Sequence, residues 1–242
     1  MRLIGVGVGP GDPDQVTVQA VRVLTEADVV VVPVGDTGEV GRAERTVRAH
    51  VERDIERLVF QLGAEAETSE SGRGPSWDAA GARVAELLRQ AGTVAFATIG
   101  DPNVYSTFSY LAQTVRGLLP EVEIATVPGI TAMQYLAAKS NTSLVEGVEP
   151  LTLMPLTAGL DRLRDALEAG GTVVAYKGGR MLPDVLAVLE ETGRLDGAVF
   201  GASLGLPEED VRPAAELDRN APAPYLSTVI APTTRGGRGS AL

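Results

Sequence analysis

The chain has 242 residues, 32 Asp and Glu against 21 Lys and Arg, a formal net charge of −11 and no cysteine. Disulfides, thiolate metal centres and cysteine nucleophiles are therefore excluded, and a chain this acidic lacks the basic footprint that a nucleic-acid partner requires. A small anionic substrate remains possible, because a few local arginines can hold one inside an acidic protein.

The N-terminal "RLIGVGV" reads as a strand, and the glycines of "GVGVGPGD", Gly5 to Asp12, read as a tight turn where backbone approaches something closely. "PDQVTVQAVRVLTEA" carries apolar residues at helical spacing, with Pro13 suited to a first turn. "DVVVVPV" is a buried strand, and "GRAERTVRAHVERDIERLVF" is a charged helix running on into a strand. The single histidine, His50, falls in that stretch and reads as a surface helix residue. "PSWDAAGARVAELLRQAG" is an amphipathic helix with Ser76 as its cap and Gly92 at its end. "TVAFATIGD" is a strand closing on a Gly-Asp-Pro turn, and "VYSTFSYLAQTVRGLL" is the helix after it.

The second half repeats the alternation. "EIATVPG", "EPLTLMPL", "TVVAYKGG", "DGAVFGASLG" and "YLSTVIAP" are strands; "ITAMQYLAAKS", "GLDRLRDALEAG" and "MLPDVLAVLEETG" are helices. This pattern, with few aromatics and abundant Gly, Ala and Val, predicts an α/β protein. A composition break near residues 117–124 divides it into an N-terminal α/β domain, 1–118, and a C-terminal one, 119–234, with 235–242 as a disordered tail. The N-terminal segment has none of the marks of a signal peptide and no apolar run is long enough to span a bilayer, so a cytoplasmic protein with no membrane partner is expected.

In α/β sheets, ligands bind outside the carboxyl ends of the strands. The turns "GVGPGD", "TIGDPNVYSTF", "TVPGITA" and "YKGGR" all sit at such ends, where small residues let backbone N–H and C=O groups meet a ligand. The first turn does not fit a dinucleotide G-x-G-x-x-G: counted from Gly5 the last slot is Pro10, and counted from Gly7 it is Asp12. Nor is it a P-loop, since no Lys follows Gly11. No Ser-His-Asp set is assembled around the single histidine, because His50 lies in a charged helix. A metal site would rest on carboxylates alone, and none is expected. A site of backbone groups and a few hydroxyls suits a reaction whose reactivity lies in the reagents, such as methyl transfer from S-adenosylmethionine.

"VGVGPGD", "GDPNVYSTFSYL" and "VPGITAMQYLAA", in that order and spacing, resemble the tetrapyrrole (corrin and porphyrin) methylase superfamily, with "YKGGR" and "PYLSTVIA" where that family has its later turns. Within it, "GDPNVYSTFSYL" is most similar to the precorrin-2 and cobalt-precorrin-2 C20-methyltransferase group of cobalamin biosynthesis. The resemblance implies two α/β domains with the active site in a cleft between them, a homodimer, and S-adenosyl-L-methionine as cofactor with S-adenosyl-L-homocysteine as product. It implies a tetrapyrrole substrate methylated at C20. Carried over residue by residue, it assigns cofactor binding to Pro10, Ile99, Gly100, Asp101, Val104, Thr131, Ala132, Lys177 and Ala214. Other members often carry Met where Lys177 stands, and Ala214 matches less closely. Asp101 and Tyr105 are the candidates for orienting substrate and aiding proton loss, and Ser106 and Arg180 for binding it. The substrate is a polycarboxylate, so arginines are expected around it; Arg42, Arg45 and Arg48 share roughly one helix face, which also suits a plain solvated surface.

Three alternatives stay open at this point: another tetrapyrrole methylase acting at a different ring carbon, a nicotinamide-dependent oxidoreductase with Asp36 as its ribose-binding acid, and a binding module without catalysis on the same fold.

Overall fold

The structure, a computed structural model, describes residues 1–35, 40–60 and 73–237. It divides into two compact units, Met1–Thr131 and Ala132–Leu242. Asp36 and the tail residues 238–242 lie outside the described residues.

The first unit is built on five parallel strands, β1 (Arg2–Gly7), β2 (Val29–Val34), β3 (Ile55–Val59), β4 (Thr93–Thr98) and β5 (Glu123–Val127), in the order β3-β2-β4-β1-β5. Runs such as "LIGVG" and "VVVVPV" are apolar at nearly every position because a parallel sheet is buried on both faces. Helices α1 (Val18–Glu26) and α2 (Arg42–Arg48) cover one face, through Leu24 and Val47 among others. Helices α3 (Arg73–Ala91) and α4 (Phe108–Leu118) cover the other, around Leu88, Phe96 and Leu111.

Local chemistry explains where these helices depart from the sequence reading. Pro13 opens a separate 3-10 turn, Pro13–Gln15, capped by Asp12, whose Oδ1 accepts the Asp14 N–H at 2.9 Å, so α1 starts only after Thr17, whose hydroxyl accepts the Ala20 N–H at 3.1 Å. Helix α3 begins at Arg73, which leaves Ser76 inside it rather than at its cap. Gly92 does end that helix, in the left-handed region at φ +97°. Helix α2 stops at Arg48, so His50 lies beyond it.

β5 pairs with β1 from Arg2↔Glu123 to Val6↔Val127 and so belongs to the first sheet. The units part at Thr131 and Ala132, whereas the composition break falls at 118/119.

The second unit has a mixed sheet in the order β6-β7-β10-β8-β9, formed by β6 (Leu151–Pro155), β7 (Thr172–Tyr176), β8 (Val199–Ala202), β9 (Asp210–Pro213) and β10 (Ser227–Ala231). Only β6 and β7 run parallel; the other pairs are antiparallel. Helices α6 (Leu160–Glu168) and α7 (Leu182–Glu191) pack on it through Leu163, Leu167, Val185 and Leu189, and α5 (Ala132–Lys139) places Leu136 against Gly201 of β8. The chain beyond β10 is anchored at the start of the expected tail: Arg235 forms a two-pronged ion pair with Glu149, at 2.9 and 2.6 Å. Among the described residues no helix is long and apolar enough to cross a membrane.

Candidate active site

Strands β4, β1 and β5 are neighbours, and the three glycine-rich turns leave their carboxyl ends side by side. Backbone contact continues past the ends of β1 and β4: Val8 N–H donates to Thr98 O at 2.9 Å, and in an isolated antiparallel bridge Gly100 N–H donates to Gly9 O at 2.7 Å. Gly7 and Gly129 then let the three backbones touch. A Cβ on Gly7 would sit 2.6 Å from both Gly100 O and Gly129 N, and one on Gly129 would collide with the same Gly100 carbonyl. Gly100 differs: it has φ +69°, and a Cβ there would meet nothing within 4 Å. The loops pack on one another beneath Gly100 and leave open space above it.

Pro10, Ile99, Gly100, Asp101, Val104, Tyr105, Ser106 and Thr131 all lie on these three loops. Pro10 is buried, and Thr131 is nearly so at 8% exposure. The side chains divide into those that hold the loops and those that face outward. Both Asp101 oxygens are engaged: Oδ1 accepts the Asn103 N–H at 2.8 Å, and Oδ2 accepts the Gly129 N–H at 3.0 Å. Asp101 is thus a brace between the β4 and β5 loops. Ser106 Oγ lies 3.1 Å from Thr98 Oγ1 and accepts the Phe108 N–H at 3.2 Å, so its hydroxyl organises the entry to α4. Tyr105 is the most exposed of these side chains. It holds φ +48°, a left-handed conformation unfavourable for a bulky residue, with 45% of its surface exposed. Partial burial of its phenol pushes the pKa above its ordinary value, and the hydroxyl is protonated at neutral pH as a tyrosine's ordinarily is.

The remaining expected residues are in the second unit. Ala132 opens α5. Lys177 follows β7 at φ +62°, with its N–H on Ser227 O at 3.2 Å and its ammonium 5.9 Å from the Tyr225 ring centre. Arg180 is exposed in the 3-10 turn that follows. Ala214 is 1% exposed, fills the core with its methyl, and spends its N–H on Ala198 O at 2.8 Å.

Of the three α2 arginines, Arg48 pairs with Glu44 at 2.8 Å, whereas Arg45 is exposed. Glu44 is fully buried and also holds Arg57 of β3 at 2.7 Å. Sequence reasoning missed two groups: in the first unit Asn103, whose amide reaches Thr126 Oγ1 at 3.3 Å, and in the second unit Tyr176, whose hydroxyl accepts the Met133 N–H at 2.8 Å in the first turn of α5. A polar residue two places after Gly-Asp was a signal for the first; the second depends on a packing partner distant in sequence. Among the described residues no cluster of His, Asp and Glu could hold a metal ion.

In a doubly wound sheet ligands bind outside the carboxyl ends of the strands, which is where these adjacent glycine turns lie. The chain belongs to the tetrapyrrole (corrin/porphyrin) methylases, whose sequence pattern matches residues 2–218. It is 32% identical to the precorrin-2 C(20)-methyltransferase of Sinorhizobium sp., over 96% of this chain and 95% of that one. It is 28% identical to the cobalt-precorrin-2 C(20)-methyltransferase of Salmonella typhimurium, over 95% of each. Its fold matches a uroporphyrin-III C-methyltransferase of Thermus thermophilus solved with S-adenyl homocysteine, with a TM-score of 0.65, 21% identity and coverage of 96% and 97%.

Proposed function

We propose that this protein transfers a methyl group from S-adenosylmethionine to C20 of precorrin-2 or of its cobalt complex, in cobalamin biosynthesis. One observation carries the reading: two relatives that align over about 95% of their length with this chain are named for that same carbon. The proposal includes a cytoplasmic homodimer, which sedimentation of the purified protein would test.

The loops fit the cofactor in one respect that can be checked, the open space over the left-handed Gly100. Pro10, Ile99, Gly100, Val104, Thr131 and Ala132 would hold it; Lys177 and Ala214 carry the same assignment on the family pattern alone. When bound, S-adenosylmethionine would supply an activated methyl on its sulfonium and leave as the thioether, the product carrying that methyl on C20 in place of a proton released to solvent. The protein's task is then alignment and exclusion of water. Asp101 serves by bracing the loops. Tyr105, exposed and protonated at neutral pH, is the group on these loops suited to hydrogen-bond a substrate, and Arg180 is an exposed cation suited to a carboxylate.

The test is an anaerobic incubation with methyl-labelled S-adenosylmethionine and fresh precorrin-2, with and without cobalt, followed by mass spectrometry and NMR. One added methyl, labelled at C20, is expected. Label at another carbon would move the protein to another branch of the family; no transfer to either substrate would overturn the proposal.

A further inference from the structure

The first loop is gripped from a direction that the reading of the site did not use. Gly9 to Gln15 folds back on itself: a Cβ on Gly9 would lie 2.9 Å from Gln15 O, and Gln15 N–H returns to Asp12 O at 3.0 Å. One side of this loop is held by the isolated bridge between Gly9 and Gly100. The other is held by two side chains from α2 and the turn after it. Thr46 is fully buried, and its hydroxyl shares its proton between Gly11 O at 3.3 Å and Arg42 O at 3.2 Å. His50 Nε2 lies 2.8 Å from Pro13 O, a contact that requires the ring to donate its Nε2–H to the carbonyl. The two donors flank Asp12, and both reach the loop across more than thirty residues of sequence. Helix α2 is itself fixed to β3 by the ion pair between buried Glu44 and half-buried Arg57.

We infer that Thr46 and His50 are positioning residues that hold the Gly9–Pro13 loop in its ligand-receiving conformation. The inference rests on the reading of that loop as part of the S-adenosylmethionine site. A carbonyl pinned by a side-chain donor cannot rotate without losing the bond. Gly9 and Gly11, which give the loop its freedom to turn, would otherwise leave it several accessible conformations, and ordering them on binding would weaken affinity. Neither residue touches the space over Gly100 in this reading; each acts through the loop backbone.

The test uses the full chain with T46V, which keeps the branched shape and removes the donor, and H50A, which is a surface change that leaves the core intact. T46S and H50Q restore a donor at similar reach. Hydrogen–deuterium exchange of the free protein, and calorimetric titration with S-adenosylhomocysteine, are the two measurements. T46V and H50A are expected to speed amide exchange at residues 11–16 by about tenfold, with β4 and β5 unchanged, and to weaken S-adenosylhomocysteine by roughly three- to tenfold each. T46S and H50Q are expected to recover most of both. Exchange in the 11–16 segment unchanged in T46V and H50A would overturn the grip. Faster exchange with unaltered affinity would overturn its link to the ligand. Failure of the unmutated protein to bind S-adenosylhomocysteine would overturn the cofactor reading and that link with it, and the exchange data would still decide the grip.

Discussion

Asp101 joins two loops through the backbone of Gly129: its Oδ2 accepts the Gly129 N–H at 3.0 Å while its Oδ1 holds the Asn103 N–H at 2.8 Å. An Asn at this position keeps one acceptor and points an NH₂ at the second N–H, so one backbone donor loses its partner. Hydrogen bonds to a charged group contribute about 1.5–3 kcal/mol, and losing one here should lower stability by roughly that amount. D101N is therefore expected to shift the urea midpoint downward and to raise the KM for S-adenosylmethionine more than it lowers kcat. A variant with unchanged stability and donor KM, and a large loss in kcat alone, would return Asp101 to a direct role in proton transfer.

Two neighbouring glycines should behave differently. G129A drives a methyl into the Gly100 carbonyl, where only backbone is available to yield. The cost is expected to reach about 3 kcal/mol or more, the upper range for overpacking. G100A meets open space, and its cost is the left-handed backbone, about 1–2 kcal/mol. Its methyl would occupy the space over the loops. G100A should therefore fold, with a modest loss in melting temperature, and bind S-adenosylhomocysteine poorly. Thermal melts and calorimetry on the pair check this, and tight binding by G100A would remove that space from the site.

The strands and turns of the first unit were legible because each carries a local signal: unbroken apolar runs for β1, β2 and β4, and glycine at their ends. Sheet membership was not, since β5 reads the same whether it pairs with β1 or opens a second domain. The short edge strand β9, Asp210–Pro213, has two residues ill suited to strands and left no pattern to read. At the site, the loop residues were found in sequence, but their division of labour was not. Ser106 and Asp101 look like substrate-facing groups until Thr98, Phe108 and Gly129 are placed beside them. His50 looked like an idle surface residue because its partner, Pro13 O, is distant in sequence and carries no side-chain signal.

Tyr105 combines an unfavourable backbone conformation with exposure, at φ +48° and 45%. Asn enters the left-handed region readily, so Y105N should relieve strain of the order of 1 kcal/mol and offset the lost ring packing. The expected outcome is a melting temperature within a few degrees of the unmutated protein and methyl transfer lowered at least tenfold. Y105F, which keeps ring and strain but removes the hydroxyl, separates the two contributions: if hydrogen bonding to substrate matters, Y105F loses rate as well. Full activity in Y105F would assign the residue to packing against the substrate instead.

Glu44 makes the acid limb of stability specific. The carboxylate is buried on α2 and held by Arg57 and Arg48, and the hydrogen bond from Arg57 is the largest influence drawing its pKa below the ordinary carboxylate range. A carboxyl whose folded pKa is depressed stabilises the fold fully above its unfolded pKa, near 4.3, and loses that contribution as pH falls through the lower, folded value. E44Q cannot ionise and should lack this dependence. The melting temperature of E44Q is expected below that of the unmutated protein at pH 7, and the gap should narrow as pH drops below about 4. Because α2 also carries Thr46, E44Q should speed exchange at residues 11–16 at pH 7 as well. Thermal melts from pH 7 to pH 3 decide the first point, and a gap that stays constant across that range would show that the Glu44 charge does not contribute to folding.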